Sequence, residues 1–175
     1  GYRVVLTTSI STACVARKHK LVLINTTYAA RPDHLRPGLK VENIRTTVIN
    51  GFIAHEAGHV RHSPEEIPSK IHDIWNRIED ERLERLQVLD YGKDPINLQQ
   101  CFDYLGDATL RNTFEMDTSS AVLNWRFAHD RKPITVSDPG LWSTIKPLVE
   151  EAWATSAERT VELAKEIYDL LNPEA

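Results

Sequence analysis

The spacing of apolar side chains changes along the chain, and the change predicts two kinds of secondary structure. Three short runs rich in β-branched or apolar residues occupy residues 3–8, 12–17 and 20–25, and they predict strands. The polar pair Lys18-His19 separates the second run from the third, which favours a hairpin. Residues 28–40 hold two prolines and a glycine without periodicity, and they predict a loop.

A helical spacing begins near Val41. Apolar residues and histidines then recur every three or four positions, which places them on one helix face: Val41, Ile44, Val48, Phe52, His55 and His59. This helix should end near His62, because Ser63-Pro64 follows.

A second helix is predicted from Pro68 to Tyr91, with Gly92 as its C-terminal cap. Its apolar stripe comprises Ile71, Ile74, Trp75, Ile78, Leu86 and Leu89. Further helices are predicted over residues 97–105, 107–130 and 141–171, with a proline-containing loop over 131–140. The four tryptophans are expected to pack in the core.

Strands first and helices afterwards indicate an α+β fold. We expect residues 1–105 to form the core and residues 106–175 to form a helical C-terminal extension packed on it, within one domain. The 175 residues are 41% hydrophobic and 26% charged, which is typical of a globular protein. A net charge of -4 does not favour nucleic-acid binding, and no apolar run approaches the roughly 20 residues that span a membrane.

The two cysteines, Cys14 and Cys101, are too few and too distant for a disulfide framework. We expect thiols in a reducing compartment, hence a cytoplasmic protein, with one Cys14–Cys101 disulfide as the alternative. The N-terminal residues lack the pattern of a signal peptide. A start at Gly1 is compatible with a piece of a longer protein.

The chemistry of the chain is concentrated in His55-Glu56-Ala57-Gly58-His59. Residues four apart on a helix lie above one another, so His55 and His59 can direct two imidazoles at one Zn²⁺ ion. Glu56 projects beside that point, where a general base would accept a proton from a metal-bound water. Two hydrogen-bonded core histidines are the alternative, and a third ligand would decide between them.

The second helix offers such a ligand 20 residues after His59, at Glu79, with Asp80 next to it. Asn76, Glu79, Asp80 and Leu83 share one face of this helix. The acids could equally form a solvated face neutralised by nearby arginines, and we expect this for Glu81 and Glu84.

The two motifs together resemble the gluzincin class of zinc metallopeptidases. Residues 75–84, Trp-Asn-x-x-Glu-Asp-x-Arg-x-Glu, further resemble metallopeptidase domains that accompany von Willebrand A domains in cobaltochelatase-subunit-like and phage-encoded proteins. The resemblance implies a zincin-like fold, in which a small N-terminal sheet packs on an active-site helix and a glutamate helix. It implies His55, His59 and Glu79 as Zn²⁺ ligands and Glu56 as the catalytic base.

One position departs from the thermolysin-like pattern, because Leu83 stands where an acidic residue four places after the ligand glutamate is expected. Asp80 or Asn76 would then orient a ligand histidine by a hydrogen bond, without binding the ion itself. The resemblance also implies that the strand over residues 20–25 lines the substrate cleft.

The sequence therefore predicts a zinc-dependent hydrolase, a metalloendopeptidase (a protease) acting on a peptide or protein through a zinc-bound water that Glu56 activates. The alternative is a non-catalytic or latent metal-binding module that acts in a larger assembly with a partner protein or a von Willebrand A domain. A third hypothesis is that no metal binds. Candidates for stabilising the oxyanion are Tyr91, Tyr104, Arg126 and His129.

Overall fold

The computed structural model describes residues 1–27, 41–91, 115–129 and 134–174. These residues form an α+β fold in which helices predominate, as the sequence predicts. The strands are β1 Arg3–Thr7, β2 Ala13–Ala16, β3 Leu21–Asn25, β4 Glu115–Met116 and β5 Thr135–Val136. The helices are α1 Val41–His62, α2 His72–Tyr91, α3 Thr118–Ala128, α4 Pro139–Ala152 and α5 Ala157–Leu171. Among these residues, no helix combines the length and the apolar character needed to cross a membrane.

The N-terminal sheet has the strand order β1-β3-β2. The predicted hairpin is confirmed, because β2 and β3 pair antiparallel around a short 3₁₀ turn at Arg17–His19. Lys20 closes this turn with a φ of 50°, in the left-handed region. Strand β3 also pairs with β1 in parallel, so both of its edges are used. Among the described residues β1 and β2 are therefore the edge strands, and the expectation that residues 20–25 line the substrate cleft stays a prediction.

The chain divides into two compact units. Unit 1 comprises Gly1–His62 and Leu86–Ala108, and unit 2 comprises Ser63–Arg85 and Thr109–Ala175. In this division the first part of α2 groups with the C-terminal helices. The boundary that we expect near residue 105 stays a prediction.

Unit 1 has a small core between the sheet and α1. Val22 and Ile24 project from β3, and Val48 and Phe52 project from α1, all of them buried. The predicted apolar face of α1 is therefore confirmed at Val48 and Phe52. Helix α1 spans Val41–His62, so it also ends where the Ser63-Pro64 signal predicts.

Unit 2 has a larger core built from α2, α3, α4 and α5. Trp75 and Trp153 are buried in it, while Trp125 and Trp142 pack against it, as expected for the tryptophans. The predicted stripe of α2 is wrong at one position, because Leu89 is 75% exposed. The buried residues of this core are Ile71, Trp75, Ile78, Val122, Ile145, Val149, Ala152, Trp153, Leu163, Ala164 and Ile167.

The single helix predicted over residues 141–171 is wrong, because the structure divides it in two. Helix α4 ends at Ala152, and α5 begins at Ala157. The Ser156 hydroxyl accepts a hydrogen bond from the Arg159 amide, which is an N-terminal cap and therefore starts a new helix. Pro147, by contrast, lies inside α4 without ending it.

Two further boundaries are set by aspartate caps that the prediction missed. Asp117 accepts from the Ser120 amide, so α3 starts at Thr118, and Glu115–Met116 is a strand rather than part of a helix. Asp138 accepts from the Leu141 amide and starts α4 within the segment predicted as a loop. The same segment contributes β5, which pairs in parallel with β4. The predicted loop at 28–40 and helix at 97–105 lie outside the described residues, as does Gly92.

Candidate metal centre

Helix α1 brings the two imidazoles of the motif together. The Nε2 atoms of His55 and His59 lie 3.2 Å apart, and their rings meet edge to face at 81°. Two nitrogen ligands of a tetrahedral zinc ion, each at 2.0–2.1 Å, would be separated by roughly 3.3 Å. The spacing of the two nitrogens suits a shared ion, and it equally suits a hydrogen bond between the two rings. His55 is buried and His59 is partly buried.

Glu56 follows His55 and projects about 100° further around the same helix. Its side chain is 6% exposed, so the carboxylate is held in a largely water-excluded place. Partial burial raises the pKa of the Cys14 thiol on β2, and the negative charge of the Glu56 carboxylate raises it further. Cys14 is a free cysteine. The predicted base thus lies beside the histidines and close to an edge strand.

Two side chains that the sequence analysis missed hold α1 around this motif. The Arg17 guanidinium donates a 2.7 Å hydrogen bond to the carbonyl of His59, within the last turn of the helix. A basic group there compensates the unsatisfied carbonyls of the helix end. Buried Gln87 donates to the Ala54 carbonyl at 2.6 Å, directly before His55. An arginine at the end of the predicted second strand was a usable signal, whereas nothing in the sequence singles out Gln87.

His62 lies at the end of α1. Its Nε2 atom is 3.1 Å from the Asp90 carboxylate, and its side chain is 21% exposed, so it is a partly buried partner of that acid. The side chain of His72 is exposed.

The carboxylate of Glu79 is fully buried, and both of its oxygens accept hydrogen bonds from side chains of unit 2. Arg82 donates to both of them, at 2.7 Å each. Ser63 donates to Oε1 at 2.6 Å, and the Thr160 hydroxyl lies 3.3 Å from Oε2. Glu79 therefore stabilises the fold through these partners. Its assignment as a metal ligand stays a prediction.

Asp80 is the carboxylate that the structure groups with the two histidines. The ligand atoms that His55, His59 and Asp80 can offer all lie within 4.8 Å of one another, so this group could hold a metal ion. Asp80 is 5% exposed, and Arg126 binds its Oδ2 atom at 2.9 Å. Two imidazoles and a carboxylate are a donor set that suits zinc, although they do not identify the metal.

Arg126 of α3 is buried among acidic side chains of α2. Its guanidinium contacts Asp80, Glu84 at 2.5 Å and Glu81 at 3.8 Å. Burial acts to lower the pKa of Arg126, but the carboxylates of Glu84, Asp80 and Glu81 outweigh it and hold that pKa well above its usual range. Burial also raises the pKa of Glu81 against the opposing effect of Arg126.

These contacts correct two expectations. A solvated position is wrong for Glu84, which is 9% exposed and pairs with Arg126. Arg126, a candidate for stabilising an oxyanion, is instead a partner of carboxylates. Both differences have one cause, a buried ion pair. The acid on α2 and the arginine on α3 neutralise each other in a place from which water is excluded.

The roles expected of the remaining candidates stay predictions. Asn76 is partly buried on α2, and Leu83 is fully buried. His129 contacts the rings of Trp125 and Trp153 in unit 2. The side chains of Tyr91 and Tyr104 lie outside the described residues.

Comparisons with protein-family models, with curated proteins and with solved structures found no match. The resemblance to gluzincins therefore rests on residues 55–59 and 75–84 of this chain.

Proposed function

We propose that this protein is a Zn²⁺-dependent hydrolase, a metalloendopeptidase of the gluzincin type with a zincin-like core, which acts in the cytoplasm. The observation that carries the proposal is the 3.2 Å separation of the His55 and His59 Nε2 atoms, with Glu56 on the same helix beside them. Cys14 has a free thiol, which is compatible with a reducing compartment.

We assign His55, His59 and Asp80 as the residues that hold the ion. Asp80 is preferred to Glu79 because its carboxylate belongs to the group that could hold a metal, whereas Glu79 is bound by Arg82, Ser63 and Thr160. A zinc ion in such a place supplies Lewis acidity, which polarises a carbonyl and lowers the pKa of a bound water.

Glu56 is the catalytic base in this proposal. Its carboxylate accepts a proton from the attacking water and then transfers it to the nitrogen of the leaving amine, so that a peptide bond is replaced by a carboxylate and an amine. A buried side chain on a regular helix suits this role, because it holds the accepting oxygens at a fixed distance from the histidines.

The substrate is an extended peptide segment, which we place along β2. This strand is at an edge of the sheet, and its Cys14 lies close enough to Glu56 for the carboxylate to raise the thiol pKa. An edge strand offers backbone N–H and C=O groups to an added strand, which binds a peptide with little regard to its side chains. This assignment replaces β3, whose two edges are both paired.

Metal content tests the proposal most directly. Protein purified without chelator or histidine tag, then equilibrated with excess zinc and desalted, should contain about one zinc per chain by mass spectrometry. Asp80→Asn should lower zinc affinity by more than about 100-fold, since it removes a ligand charge. Glu79→Gln is the matched control, and it should bind zinc normally while lowering stability.

The outcomes separate the hypotheses. If Glu79→Gln loses zinc and Asp80→Asn keeps it, Glu79 is the ligand that the gluzincin pattern implies. Zinc binding without hydrolysis of any unfolded protein would favour the metal-binding module. Absence of zinc from the unmodified protein would refute the metal site altogether. Circular dichroism of each variant establishes that it is folded before its zinc content is compared.

A further inference from the structure

Buried Gln87 of α2 contacts the backbone of α1 directly before the first histidine of the motif. We propose that Gln87 is a positioning residue of the metal centre, which fixes the place of His55 by holding the peptide group that precedes it. The inference rests on the proposed function, because it requires His55 and His59 to bind a metal ion. It makes no use of the acid that completes the site, and it concerns a residue that neither sequence motif includes.

The contact is short and lies within one compact unit. Nε2 of Gln87 donates to the Ala54 carbonyl at 2.6 Å, and both residues belong to unit 1. This carbonyl belongs to the same peptide group as the amide nitrogen of His55, so the bond is made at the point where the ligand residue begins. The turn of α1 that carries His55 can neither slide nor rotate against the end of α2 without breaking this bond.

A second donor holds the other end of the motif. The Arg17 guanidinium donates to the His59 carbonyl at 2.7 Å, also within unit 1. The two donors come from different elements, the turn after β2 and the last part of α2. The segment that carries both imidazoles is therefore tied at both of its ends. Functional sites require their side chains to be held within about 0.5 Å of the productive geometry, and ties of this kind supply that precision.

The energetics of Gln87 indicate a role other than packing. Its side chain is 1% exposed, and its Oε1 atom has no hydrogen-bond partner among the residues that the structure describes. A buried acceptor without a donor lowers stability. The Ala54 carbonyl lies inside α1, where it also accepts the helical hydrogen bond from the amide four residues later, so the fold does not require a second donor there. An apolar side chain of similar size would suit the core, but it would not tie α1 to α2.

Asn25 provides a matched control in the same unit. It is also a buried amide, at 6% exposure, and it also donates to a backbone carbonyl, that of Ile10. Its Oδ1 atom accepts hydrogen bonds from the amide and the hydroxyl of Thr27, at 2.7 Å each. None of these bonds involves α1. Loss of the Asn25 amide should therefore destabilise unit 1 more than loss of the Gln87 amide does.

The test uses Co²⁺, whose visible absorption reports the number and geometry of its ligands, on the full chain with Gln87→Met or Asn25→Leu. Each replacement is apolar and close in size to the amide that it removes. Gln87→Met should weaken Co²⁺ binding by about 10-fold and change the absorption spectrum, as expected when a residue that orients a metal ligand is lost. Asn25→Leu should leave the affinity and the spectrum as in the unmodified protein.

Hydrogen exchange of the metal-free proteins measures the stability of unit 1 separately. Peptides covering residues 1–25 and 50–62 should exchange faster in Asn25→Leu than in Gln87→Met, which is the opposite order to the loss of Co²⁺ binding. A residue with a merely structural role would give the same order in both measurements.

Unchanged affinity and spectrum in Gln87→Met would overturn the positioning role while leaving the metal site in place. A loss of Co²⁺ binding in Asn25→Leu as large as that in Gln87→Met would also overturn it, because the stability of unit 1 would then account for both. If the unmodified protein binds neither Co²⁺ nor Zn²⁺, the proposed function fails and this inference fails with it.

A second variant, Gln87→Leu, guards against a packing fault specific to methionine. It removes the same donor with a side chain of different shape. Gln87→Leu should fold, as circular dichroism would show, and bind Co²⁺ weakly with an altered spectrum. Co²⁺ binding like that of the unmodified protein in this variant would overturn the inference.

Discussion

The buried polar side chains of the two units have different neighbours. In unit 2 each buried acid of α2 has an arginine close by, Arg82 for Glu79 and Arg126 for Asp80 and Glu84. In unit 1 the buried polar side chains of α1 include His55 and Glu56, which are adjacent in sequence and next to His59. Unit 2 thus neutralises its acids with arginines, and unit 1 concentrates groups that can bind metal and transfer protons.

The two units also differ in the size of their apolar cores. Among the residues that the structure describes, eleven buried residues form the main core of unit 2 and four form that of unit 1. Strand β1 of unit 1 is largely exposed, with Leu6 at 55%. From the described residues we infer that unit 2 supplies more of the stability, while the proposed chemistry lies on α1 of unit 1. Three sets of substitutions test this division.

The largest effect is expected at the proposed base. Glu56→Gln should lower the rate of peptide hydrolysis by about 10²- to 10⁴-fold, because the amide cannot accept the proton. The zinc content should stay at the level of the unmodified protein, since Glu56 is not a ligand. Hydrolysis of an unfolded protein substrate and zinc content are measured on the same sample. Retained turnover would contradict the mechanism, and lost zinc would place Glu56 among the ligands.

Next in size is a comparison of two leucines. Leu163 of unit 2 is fully buried, so Leu163→Ala should lower the free energy of unfolding by about 2–5 kcal/mol. Leu6→Ala removes the same atoms from an exposed site in unit 1 and should cost less than about 1 kcal/mol. Urea unfolding followed by tryptophan fluorescence measures unit 2, which contains all four tryptophans. Equal losses in this signal would contradict the proposed division of stability.

The smallest effect is expected at the end of α1. Arg17→Met keeps the length of the side chain but removes the donor to the His59 carbonyl, which should destabilise the last turn by about 1 kcal/mol. Hydrogen exchange of peptides covering residues 50–62 should therefore become faster. Arg17→Lys, which retains the positive charge near the helix end, should show a smaller change. Unchanged exchange in Arg17→Met would mean that α1 does not depend on this bond.

Much of the fold was predictable from local patterns. The β2–β3 hairpin, the extent of α1 and the core role of the tryptophans follow from periodicity, turn residues and Ser63-Pro64. The division of the last helix could have been predicted as well, because Ser156 is a strong N-terminal cap. The central position of β3 could not, since pairing with β1 is a contact between separated segments.

The sequence by itself determined that His55 and His59 share one side of a helix, because a separation of four residues fixes this wherever the helix lies. It also placed Glu56 beside them. It could not decide between the neighbours Glu79 and Asp80, which differ only by a rotation of about 100° around α2. What the tertiary structure decided is the set of partners of each acid: those of Glu79 include Ser63 and Thr160, and Asp80 is held by Arg126 of α3. Partners this far away in sequence leave no local pattern, and only the packed fold reveals which acid they engage.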